Sequence, residues 1–119
     1  MTHFTPEEFA CRCGRLQCDA PQAMQKSFLD RLEIVRGEYG QPMQVTSGLR
    51  CSYWNALKGG TPASSHLTGY AADIACLDSS ARYSMLAAGL RVFTRVGIGK
   101  DFIHFGSDPA LPPRVIWLY

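Results

Sequence analysis

No apolar run in this chain approaches the ~20 residues needed to span a bilayer, which excludes a membrane-crossing helix. Charge of one sign is equally scarce. Twelve Lys and Arg against ten Asp and Glu leave +2 over 119 residues. That gives no argument for a nucleic-acid partner, though it permits approach to an anionic surface such as a cell wall. Repeats, linkers and low-complexity tracts are missing, and 46% hydrophobic with 18% charged residues excludes disorder. The length predicts one domain spanning residues 1–119. The opening Met-Thr-His-Phe-Thr-Pro-Glu-Glu lacks the basic start and apolar stretch of a secretory signal. Synthesis in the cytosol is therefore expected, unless a leader has been removed. His-Glu-x-x-His is absent too, which excludes the zincin helix class.

Cysteine is present in an odd number, five, so a complete set of internal disulfides is impossible. Three of them cluster as Cys11-x-Cys13-x4-Cys18, with His3 eight residues before the first. One reading is a small structural zinc knot; the other is reduced thiols in a loop, or a single disulfide formed in air. His3 alone reads as a hydrogen-bonded structural residue.

Local signals divide the chain into short elements. Thr5 and Pro6 predict a brief helical start. Asp19-Ala20-Pro21-Gln22 predicts the start of the main helix, whose apolar stripe is Met24, Phe28, Leu32 and Val35 and whose stop is Gly40 with Pro42. A strand over Met43 to Thr46 and a helix over Tyr53 to Leu57, halted by Gly59-Gly60, follow. A loop then leads to His66. Ala71 to Cys76 reads as a buried strand with Asp73 on the face opposite Ile74 and Cys76. Asp78 caps a helix to Ala88, Val92 to Ile98 alternates as a strand with Phe102 to Phe105 as its hairpin partner, and Val115 to Leu118 reads as an edge strand. The sum is an α+β fold, a small antiparallel sheet flanked by helices.

Two stretches carry chemistry. Ser64 to Asp73 sets His66 seven residues before Asp73, and Asp101 precedes His104 by three. A carboxylate in an apolar strand is costly unless paired or bound to a cation, which singles out Asp73. His66, Asp73 and His104 meet the three-ligand count of a catalytic zinc that keeps its fourth position for water. Zinc lowers the pKa of that water to about 7, and Asp101 is the candidate base. Residues three apart on a strand face opposite ways, so Asp101 needs a bulge or turn.

His66-x2-Gly69-x-Ala71-x-Asp73 resembles the signature of the zinc peptidases of bacterial cell walls. That group comprises D-alanyl-D-alanine carboxypeptidases and dipeptidases and phage L-alanyl-D-glutamate endolysins, and it shares its fold with the hedgehog signalling domain. Phe4 to Cys13, Ser47-Gly48-Leu49-Arg50, and Gly97-Ile98-Gly99 through His104 resemble further family segments in the same order. The resemblance implies a hedgehog/DD-peptidase-like fold and a zinc held by His66, Asp73 and His104. It implies Asp101 as base, Arg50 on the substrate carbonyl and oxyanion, and Ser65 as a substrate contact. The implied partner is a peptidoglycan stem peptide. The small size and the lack of a secretory signal and of a wall-binding segment lead to the expectation of a monomeric phage or prophage lysin, made in the cytosol and released by a phage holin or by lysis. The alternative is a non-catalytic, zinc-containing binding module on the same fold. Where the family often has Asp two residues after the last His, this chain has Gly106, leaving open which group orients His104 and whether Asp108 substitutes.

Overall fold

Glu8 reaches back to accept from the Thr5 N–H at 2.6 Å, and this cap opens a 3-10 turn, Pro6–Phe9, that seats Phe9 in the core. The structure, a computed structural model, describes residues 3–119. Helix α1 (Lys26–Tyr39) buries Phe28, Leu32 and Val35 on one stripe and ends at Gly40, whose φ of 75° places it in the left-handed region that suits glycine. The predicted start at Asp19 is wrong. Asp19 spends both carboxylate oxygens on Ser52, at 2.8 Å to its N–H and 2.7 Å to its hydroxyl. The chain then runs without helix to Gln25, whose N–H bonds to the Gly69 carbonyl at 3.0 Å. Met24 joins the core from this stretch, one turn ahead of the helical stripe.

Five strands form one sheet in the order β1-β2-β4-β3-β5. They are β1 (Val45–Ser47), β2 (Ala71–Ala75), β3 (Arg95–Ile98), β4 (Phe102–Gly106) and β5 (Val115–Leu118). The first four pair antiparallel, and β5 lies on the far edge, parallel to β3. Strand β3 begins three residues later than its alternation suggested, because Val92 and Phe93 continue the turn after α3 by bonding to the Gly89 carbonyl. Phe93, not Val92, is the residue driven fully inward there.

Helices α1 and α3 (Ser79–Gly89) cover one face of the sheet. Asp78 caps α3 as expected, accepting from the Ala81 N–H at 2.8 Å. Ala72, Ile74, Val96, Ile103 and Phe105 meet Phe28, Leu32, Val35 and Met85 in one apolar cluster. Each large side chain fully buried there contributes about 1.5–3 kcal/mol relative to exposure. The short helix α2 (Ser52–Leu57) and the 3-10 turn Ser65–Leu67 lie against each other, and the turn also meets β2. The sheet is thus mixed at one edge, and the fold is the expected α+β architecture of the hedgehog/DD-peptidase type.

Candidate active site

Period-two alternation decides which face of the sheet carries polar groups. On β2 the even residues enter the core, so Asp73 points the other way, and the register then builds a row across the sheet. Ser47 pairs with Asp73, Asp73 with His104, His104 with Gly97, and Gly97 with Trp117. Gly97 is required in that row: a Cβ there would stand 2.7 Å from the Trp117 indole and the Tyr119 ring. With glycine in place, Trp117 lies with its ring centre 5.3 Å from that of His104.

His66 arrives from outside the sheet. Ser64 caps the 3-10 turn Ser65–Leu67 by accepting from the His66 N–H at 3.3 Å, and this turn lowers the imidazole onto Asp73. The His66 Nδ1 lies 2.7 Å from the Gly48 carbonyl, an oxygen that can only accept. Nδ1 therefore donates to that oxygen, and this bond turns Nε2 toward Asp73 Oδ1, 3.3 Å away. His104 Nδ1 approaches the same oxygen at 2.9 Å. Gly48 supplies its carbonyl only because it lacks a side chain, since a Cβ would fall 2.7 Å from the Phe9 backbone.

The three residues are 2–7% exposed, and one ligand atom from each lies within 4.8 Å of the others. A tetrahedron with zinc-to-ligand arms near 2.1 Å has edges of about 3.4 Å. The His66–Asp73 separation of 3.3 Å is close to that edge and the His104–Asp73 separation of 2.9 Å is shorter, and two imidazoles with a carboxylate are a donor set that suits zinc. Burial pushes the Asp73 carboxyl up, but the hydrogen bonds it makes with His104 and His66 outweigh that, holding Asp73 well below the usual carboxylate range. Burial pushes His104 down despite the Asp73 hydrogen bond, favouring the neutral ring that ligates metal.

Arg50 closes the site from the other side. Its Nη2 bonds to Asp73 Oδ2 at 3.3 Å, its Nε to Ser47 Oγ at 3.0 Å and its Nη1 to Asn55 Oδ1 at 3.2 Å. Burial lowers its pKa, with the Asp73 charge opposing. Those bonds use three of the five guanidinium N–H groups, leaving two for another partner. Asp101 is exposed in the turn between β3 and β4, just before the first residue of β4, so strand alternation does not apply to it. It borders the same cleft of about 970 Å³ that His66, Asp73, His104 and Arg50 line. Ser65 lines this cleft too, its hydroxyl donating to Asp108 Oδ2 at 3.2 Å.

The six residues assigned to the peptidase site from sequence, Arg50, Ser65, His66, Asp73, Asp101 and His104, thus border one cleft. Asp108 goes elsewhere: it bonds to Ser65, Thr68 and the Ala110 N–H rather than to His104. A Cβ at Gly106 would lie 3.4 Å from His104 Nε2, so this glycine opens space beside the ring instead of orienting it. Sequence reasoning missed Asn55, which anchors Arg50 and is itself tied to the Thr61 carbonyl at 2.9 Å. It also missed Trp117 and Tyr119, which reach the cleft from the parallel edge strand. A polar residue in a six-residue helix and two aromatics near the C-terminus carry no local mark of these roles.

No curated protein matches the chain. A family model described as Peptidase M15 matches residues 2–106, from the N-terminal turn through β4. Peptidases of this family are metallopeptidases, typically of zinc, and the chain has a His, Asp and His donor set that fits that metal. The chain belongs to the peptidase M15 family.

Proposed function

We propose that this protein hydrolyses a peptide bond in the peptidoglycan stem peptide, as a D,D-carboxypeptidase or an L-alanyl-D-glutamate endopeptidase of the endolysin kind. One observation carries the reading: His66, Asp73 and His104 converge at the floor of a cleft whose walls hold an arginine and an exposed carboxylate. The three would hold the zinc, which when bound supplies Lewis acidity and an acidified water. Asp101 acts as the base, taking the water's proton during attack and returning it to the leaving amine. Arg50, pinned by Ser47 and Asn55, offers its two remaining N–H groups to the carbonyl oxygen as negative charge develops there. Ser65, its proton engaged by Asp108, presents lone pairs to a substrate N–H. The stem peptide as substrate rests on the resemblance of the His66-to-Asp73 signature to wall-acting peptidases. The setting proposed with it is synthesis in the cytosol and release by a holin or by lysis.

The test is mass spectrometry of purified peptidoglycan after digestion, with and without chelator. Free D-alanine or a new L-alanine terminus, lost when the metal is stripped, is the expected result. Unchanged muropeptides after treatment with zinc-loaded protein would defeat the proposal. Retention of that protein on the same wall material would then favour the non-catalytic module.

A further inference from the structure

Four of the five cysteines meet at one point. Cys11, Cys13 and Cys18 come from the loop after the N-terminal turn, and Cys51 comes from the residue that caps α2, forty positions beyond Cys11. One sulfur from each lies within 4.8 Å of the others. Tetrahedral zinc with arms near 2.3 Å separates its sulfurs by about 3.8 Å, a spacing that falls inside the 4.8 Å within which these four sulfurs lie. The remaining cysteine, Cys76, is sealed in the apolar core. The odd count therefore resolves as four plus one.

Backbone amides already converge on these sulfurs. The Cys51 N–H points at Cys11 Sγ at 3.3 Å, the Arg15 N–H at Cys13 Sγ at 3.4 Å, and the Trp54 N–H at Cys51 Sγ at 3.4 Å. A neutral thiol is a weak acceptor, whereas a thiolate is a strong one, so an array of N–H donors is suited to sulfurs that carry charge. The last of these bonds puts a sulfur where a helix normally has Ser, Thr, Asp or Asn as its cap. His3 takes no part: its ring pairs with Glu33 at 2.7 Å.

The loop itself explains the need. Residues 10 to 20 form no helix or strand, and none of them is fully buried. Apart from Ala20, which packs against the core at the end of the loop, what ties it down is polar: Arg12 to the Val45 carbonyl at 3.1 Å, Asp19 to Ser52, and the Arg15 guanidinium 4.1 Å over the Tyr53 ring. We propose that Cys11, Cys13, Cys18 and Cys51 bind a structural zinc ion that staples this loop to the start of α2. All four ligand positions come from the protein, so the site is closed and does no chemistry. Four thiolates and one zinc sum to −2, and Arg12 and Arg15 supply nearby positive charge from the same loop. This inference stands apart from the proposed peptidase reaction.

Metal analysis of protein purified under reducing conditions without chelator tests it. Two zinc ions per chain are expected in the native protein, and one in the His66→Ala/His104→Ala variant. That variant keeps the cysteines and, refilled with cobalt(II), is expected to show the intense thiolate-to-cobalt charge-transfer band of a four-sulfur site. Cys13→Ser/Cys18→Ser is expected to lose the band and one zinc. If the doubly substituted histidine variant binds no metal and shows no band, the site does not exist, whatever becomes of the cysteine variant. A disulfide between any two of the four cysteines, seen by intact mass without reductant, would overturn it equally.

Discussion

Two groups of side chains that could each hold a metal ion flank the Arg50–Cys51 peptide bond, and they are built in opposite ways. The His66, Asp73 and His104 group is buried and rests on paired strands, with one side turned to an open cleft. The cysteine group is partly exposed, is drawn from irregular chain, and would fill a tetrahedral shell with its four sulfurs. A site that must present an open coordination position needs a rigid frame to stop a fourth side chain from closing it. A site that only fastens a loop can let the metal provide the rigidity. The largest expected effect therefore falls on the buried group. Asp73→Ala should remove the cleft metal and abolish peptidase activity. It also leaves Arg50 as a buried charge without its carboxylate, a loss of about 3–5 kcal/mol in stability. Cobalt bound to the cysteines should survive in whatever fraction folds. Loss of both metals from folded protein would show that the two sites form one unit.

Asp101→Ala sharpens the contrast between holding metal and using it. Asp101 is exposed and contributes no ligand, so the variant should keep its full zinc content and its thermal stability. Turnover should fall by about 10²–10⁴, the range for removal of a general base. Elemental analysis and peptidoglycan digestion on the same sample check both halves. Undiminished lysis would move the base to another group in the cleft.

Much of this site was legible because its determinants are local. His66 and Asp73 lie seven residues apart, period-two alternation fixes the face of Asp73, and caps at Thr5, Asp78 and Gly40 act within one turn of chain. What escaped depends on distant partners. Asp19 looked like a helix cap but bonds to Ser52, thirty-three residues on. Cys51 carried no sign that it joins Cys11, and β5 gave no sign of its parallel pairing with β3. Residues 11 to 18 showed three of the four sulfurs of the proposed metal shell; only the fold could bring the fourth.

Cys18→Ser probes that long-range closure. It should cost one zinc and lower Tm by on the order of 10 °C if the staple is worth about 2 kcal/mol. The loop contacts α2, so kcat should drop modestly while the cleft zinc stays. An unchanged Tm with one zinc lost would mean that the polar contacts of Arg12 and Asp19 hold the loop unaided.

The smallest effect belongs to Asn55, the residue that links the two regions. It sits on α2, the helix capped by Cys51, and its side-chain oxygen fixes one arm of Arg50. Alanine there removes that hydrogen bond and loosens the packing against Gly60, where even a Cβ would clash with the Asn55 side chain. The guanidinium keeps Ser47 and Asp73, so the arginine stays in the site but is held less firmly. Outer partners of metal sites typically cost 10–100-fold when removed, and Arg50 is one step further out than the ligand it touches. A fall in kcat of about tenfold, with both zinc ions retained, is the expected outcome. Asn55→Asp should recover part of it, because a carboxylate can accept from the same Nη1. If alanine instead releases the cleft metal, Asn55 acts through Asp73, and the arginine's part in stabilising the oxyanion would have to be reassigned.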